Sequence, residues 1–175
     1  WRTCTTSAKP SSAHSAAEVP MENASTWEKV AAAYCALLGA NARADRVALS
    51  AAAAELDRLA PILTAELDSS GDTSAARRAA IDATRLQGAA LAMLRAGDTD
   101  VGIAALTKAA GIEASAPVEF CPPFVEKPSH ELLGDELLRL KRFAEAASAY
   151  RTALARTPGR TLAIEGLTTA ERGMK

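Results

Sequence analysis

The chain has 175 residues, with 20 Lys and Arg against 21 Asp and Glu and a formal net charge of −1. That balance excludes a strongly basic nucleic-acid binder and a polybasic membrane-surface protein, and no apolar run approaches the roughly 20 residues of a membrane span. Alanine fills 42 positions and aromatics only 4%, so the core must be built from Ala, Leu, Ile and Val, which suits closely packed helices better than sheets.

Residues 1–24 are rich in Ser, Thr, Ala and Pro at their start and lack apolar periodicity, the pattern of a tail or linker. The first residue is Trp1 rather than Met, which leaves a processed or longer precursor open. Cys4, Cys35 and Cys121 are too few and scattered for a disulfide framework. They favour a reducing, cytoplasmic setting, although an exported or organellar mature form stays open. Cys35 falls in an apolar run and is expected as a small core residue.

From Ser25 the spacing turns helical. Ser25 or Thr26 can cap a helix whose Trp27, Val30, Ala31, Tyr34, Leu37 and Leu38 recur at i, i+3, i+4 and i+7, with Gly39 and Asn41 as stops. A second helix, from about Ala44, places Val47, Leu49, Ala52, Leu56 and Leu59 on its apolar side. Pro61 should kink or end it, with Ile62 to Leu67 as an extension. Residues 69–73 form a loop, and Thr73 or Ser74 caps a long third helix ending at Gly97. A fourth, from Asp98 or Thr99, carries Val101, Ile103, Leu106 and Ala109.

Residues 114–128 hold four prolines and cannot be a regular helix. Ser129 then caps a fifth helix with Leu132, Leu133, Leu137 and Leu138 as its apolar set. The sixth starts near Phe143 and carries Ala146, Tyr150 and Ala153 until Pro158. The last runs from about Thr161 to Arg172 with Leu162, Ala163, Ile164 and Leu167. No strand is predicted, and short turns between helices imply an antiparallel all-α arrangement.

A repeat underlies this pattern. In residues 127–160, Leu133-Gly134, Leu137, Ala146, Tyr150, Ala153 and Pro158 stand at the spacings of a 34-residue helix–turn–helix unit. Gly134 and Ala146 should be small because the two helices touch there. Residues 83–116 repeat the pattern more weakly through Leu86, Ala90, Met93, Gly97, Gly102, Leu106 and Ala109. Residues 27–60 are a degenerate candidate, and 161–172 a capping helix. On these residues the C-terminal half, 75–175, resembles tetratricopeptide-repeat proteins, in particular the last repeats of Ala-rich bacterial members; residues 25–70 resemble them loosely. The resemblance implies a short right-handed superhelical solenoid that binds a protein or extended peptide as a scaffold or assembly subunit. It does not name the partner.

In such repeats the first helix of each pair lines the binding groove. Carried over, those positions are Thr84, Gln87, Leu91 and Arg95, then Glu131, Asp135, Leu138 and Arg139, then Glu165 and Thr169. The plain alternative is that any exposed helix face is charged. The family's basic clamp for peptide C-termini needs clustered Lys, Arg and Asn, and only Arg95 and Arg139 stand there. Phe120 and Phe124, among Pro117, Pro122 and Pro123, either fold back over the helices or dock onto a partner.

No chemistry is expected. Cys121 and His130 alone do not make a metal set, and Gly71 and Gly97 end or bridge helices instead of forming a phosphate loop. Abundant Ala with few aromatics argues against a small-molecule cavity, so no cofactor, nucleic acid or membrane insertion is predicted. The second reading is the non-catalytic C-terminal repeat domain of a longer enzyme or secreted sensor.

Overall fold

A computed structural model describes residues 23–117 and 127–175. The described residues form seven α-helices: α1 (Thr26–Ala42), α2 (Arg46–Ser69), α3 (Ala75–Ala96), α4 (Thr99–Ser115), α5 (Ser129–Arg139), α6 (Phe143–Arg156) and α7 (Thr161–Gly173). Each packs mainly on its neighbours in the chain, with lesser contacts between α1 and α3 and between α5 and α7. The core is accordingly a continuous strip of Leu and Ala running from α1 to α7.

Helix starts follow local chemistry. Ser25 caps α1 in a reciprocal box, its Oγ accepting from the Glu28 N–H while the Glu28 carboxylate accepts from the Ser25 N–H. Asp45 caps α2 and Ser74 caps α3 through their side chains. Ser129 is different from the expectation. Pro128 holds the cap position of α5, and Ser129 is the first helical residue, fully buried, with its N–H donating to Glu113 of α4 at 2.7 Å. The carboxylate of a neighbouring helix does the work of a cap.

Two stops predicted from sequence fail for physical reasons. Pro61 lies inside an unbroken α2. Its ring sits on the solvent side, where the missing N–H leaves a carbonyl that water can reach. Likewise α1 runs through Gly39 and Asn41 and ends only at Ala42.

The three helix pairs close in the same way. Asp45 N–H donates to Ala40 O at 3.0 Å, Asp98 N–H to Met93 O at 3.0 Å, and Arg142 N–H to Leu137 O at 2.9 Å. Each bond spans a residue in the left-handed region: Ala44 at φ 55°, Gly97 at φ 109° and Lys141 at φ 60°. This is the Schellman closure of a helix end. The same closure ends α2, where the Asp72 N–H donates to Leu67 O at 2.9 Å across Gly71 at φ 74°, so it does not by itself mark residues 27–60 as a repeat.

Packing between helices is set by small residues opposite large ones. A Cβ on Gly134 would come within 2.8 Å of the Tyr150 ring, and one on Gly166 within 2.6 Å of its hydroxyl. Tyr150 is thus wedged between α5 and α7. Gly102 is held similarly against Leu94 and the Ala90 carbonyl, so Ala90 and Gly102 do occupy the close approach. By contrast Val47, Val101, Leu162 and Ile164, expected on apolar faces, are 82%, 58%, 60% and 46% exposed. Periodicity placed them at the margins of their stripes, and no neighbouring helix reaches that far round.

Candidate functional site

The polar side chains singled out above stand on α3, α5 and α7. The structure divides those residues into two groups. Gln87, Leu91 and Glu131 are fully buried, and Thr84 nearly so. They were expected to line an open groove; here they are buried, and side chains from other parts of the chain reach Gln87 and Glu131. Tyr34 of α1 donates its hydroxyl to Gln87 Oε1, and Gln87 Nε2 donates to Ser129 Oγ at 2.7 Å. Asn41 of α1 reaches Glu136 of α5 at 3.0 Å. A polar side chain in the interior must find such partners or cost the fold its desolvation energy.

The charges follow the same logic. Glu136 accepts two hydrogen bonds from Arg95, at 2.9 and 3.0 Å, and another from Arg139 at 2.8 Å. Burial raises its pKa, but the hydrogen bonds from Arg95, Asn41 and Arg139 together outweigh that and hold it below the usual carboxylate value. Arg95 is thus spent on an internal tie between α3 and α5, its side chain only 11% exposed. Glu131 accepts from Lys127 at 3.1 Å and from Arg160, just before α7, at 2.5 Å. It too is held low against the opposing effect of burial. Lys127 also meets Asp135 at 2.6 Å, and Asp135 accepts from Tyr150 at 2.6 Å. Burial lowers the Lys127 pKa, and its two carboxylate partners more than restore it. From sequence Glu136 reads, with Glu131 and Asp135, as part of a solvated charged helix face; the structure corrects this, for Glu136 and Glu131 are buried among their cationic partners. The signal for Glu136 was available: Arg95 and Arg139 stand near the ends of helices at matching repeat positions and need an anion between them.

The second group remains at the surface. The Asp135 and Arg139 side chains are 38% and 43% exposed. Leu138 is half-buried, and Glu165 and Thr169 are exposed. Leu162, which stands three residues before Glu165 on α7, joins them. These side chains stand on two helices that contact each other, and together they are called the α5–α7 strip. Phe120 and Phe124 lie outside the described residues.

His130 is half-buried, with its pKa lowered mainly by burial. No group of three or more metal-ligating side chains occurs among the described residues. A shallow 350 Å³ cavity opens between α2 and α3, lined by Ala60, Pro61, Thr64, Ala65, Asp68, Asp82 and Arg85. Cys35 is half-buried and disulfide-bonded, which corrects its reading as a small core thiol. No described helix is long and apolar enough to cross a membrane. Comparison of the chain with protein-family models, with curated proteins and with solved structures finds no match.

Proposed function

We propose that the chain is a tetratricopeptide-like solenoid that acts as a protein-interaction scaffold or assembly subunit and has no chemistry of its own. The observation that carries this reading is the α5–α7 strip. Leu138 and Leu162 offer apolar contact, and Asp135, Arg139, Glu165 and Thr169 offer polar contact beside it. The strip rests on helices whose relative positions are fixed by buried ion pairs, so little order need be gained on binding. Gln87, Leu91, Arg95 and Glu131 serve as the frame of that surface, not as its contacts.

The test is affinity capture from the native source with the tagged chain, set against a Leu162→Asp, Glu165→Lys variant. Both side chains are exposed enough to change without unfolding the protein. A stoichiometric partner lost in the variant supports the reading. A partner retained in both moves the interface elsewhere, and no partner in either overturns it.

The second reading, a non-catalytic repeat domain of a longer enzyme or secreted sensor, draws support from the Cys35 disulfide. Such bonds persist mainly in oxidising compartments.

A further inference from the structure

The buried clusters differ in how their charges close. Around Glu131, two cations (Lys127, Arg160) meet two anions (Glu131, Asp135) and the sum is zero. Around Glu136, two guanidiniums (Arg95, Arg139) share one carboxylate, leaving a surplus positive charge on the more exposed Arg139.

That surplus lies at the end of α5, where the chain turns through Lys141 and Arg142 into α6. Arg142 is closed by Glu145 and sits within electrostatic reach of Asp100 at the start of α4. Lys141 is exposed and meets no carboxylate among the described residues. It also holds φ 60°, a conformation costly for a residue with a Cβ, where the equivalent turn of α3–α4 uses Gly97. The end of α7 comes to the same corner, for the space beside Gly173 is filled by the Phe143 ring, 2.5 Å from where a Cβ would stand. Arg172, next to Gly173 at this helix end, is exposed and also has no carboxylate partner among the described residues. Its neighbour Glu171 is taken by Arg151.

We infer that this corner, built from Arg139, Lys141 and Arg172 at the end of the α5–α7 strip, docks an acidic segment of the protein partner. The inference rests on the strip being the interaction surface and adds the chemistry of what it receives. The surplus charge that Arg139 shares with Arg95, together with Lys141 and Arg172, gives a chain of net charge −1 a local positive field and not a global one. Such rim charges speed encounter and set orientation more than they add affinity.

The probe is a fluorescein-labelled polyglutamate peptide, titrated with the full chain at low salt and followed by fluorescence anisotropy. Saturable binding is expected, weakening as salt rises. Lys141→Glu, Arg172→Glu should reduce it by about tenfold or more, while Arg43→Glu, Arg46→Glu, on the α1–α2 turn, should leave it unchanged. Far-UV circular dichroism and the thermal midpoint establish that both variants fold. Absent binding, or equal loss in both variants, overturns the inference. So does preferential binding of single-stranded DNA or phosphatidylserine vesicles over the peptide, which would assign the corner to another class of partner. If native partner capture is lost with Leu162→Asp but unaffected by Lys141→Glu, Arg172→Glu, the interaction reading stands and the acidic-segment inference falls.

Discussion

Replacing Glu136 by Gln removes the charge that two arginines share while keeping the side-chain volume. Glu136 is 2% exposed and accepts from Arg95, Asn41 and Arg139, which belong to three different helices or helix ends. The Arg95 guanidinium, 11% exposed, would be left buried without an anion. Breaking a buried pair from one side costs about 3–5 kcal/mol, a large share of the roughly 5–15 kcal/mol by which domains are stable. At about 2–4 °C per kcal/mol for a chain of this size, the thermal midpoint should fall by roughly 6–20 °C. Urea unfolding followed by far-UV circular dichroism measures the difference directly. The companion Arg95→Met, Glu136→Leu should recover most of the loss, because neither charge is then stranded. A single variant within about 1 kcal/mol of the wild type would refute the argument, since that is the cost of an exposed pair.

Tyr150 permits a steric test: Gly166→Ala places a methyl against its ring and hydroxyl, and overpacking of this kind should cost about 1–3 kcal/mol in urea unfolding, whereas Gly111→Ala, with open space around it, should stabilise α4 slightly. Glu131 and Glu136 are both held below their usual value of 4.5, so the stability they contribute is complete above pH 4.5 and is lost as pH falls towards their folded values. The urea midpoint should therefore drop below pH 4.5, with a shallower drop in Glu131→Gln. Ala44→Gly should raise the thermal midpoint, because a left-handed backbone favours glycine; about 0.5–1 kcal/mol is expected. Cys35 is disulfide-bonded, so a thiol titration of the denatured, unreduced chain should find fewer reactive thiols than the three present after reduction.

Much of the helical architecture was legible in the residues. Ser25 with Glu28, Ser74 and Gly97 mark real helix boundaries, and the glycine at 134 matches the aromatic at 150 across the helix pair. What local pattern could not supply was the third dimension of the polar faces. Glu131 and Asp135 stand one helical turn apart and are alike in type, yet the first is sealed by Arg160 from 29 residues away while the second keeps an open side. Gln87 looks like any exposed helical glutamine until Tyr34, 53 residues earlier, is folded over it. The same limit applies to Val47 and Val101, whose spacing fits an apolar stripe although no helix arrives to cover them. Pro61 misled for the opposite reason: its helix-breaking rule is a backbone rule, and orientation towards solvent removed most of the penalty.

The claim that the α5–α7 strip receives a protein partner is tested most directly by contact. A photo-crosslinking amino acid placed at Leu162, 60% exposed on α7, should capture a discrete protein adduct in an extract of the source cells. The same group at Ile62, 41% exposed on α2, should not. An adduct from position 162 alone is the predicted result. Adducts from position 62 alone, or from neither position, would contradict the account and place the function of this chain on another surface.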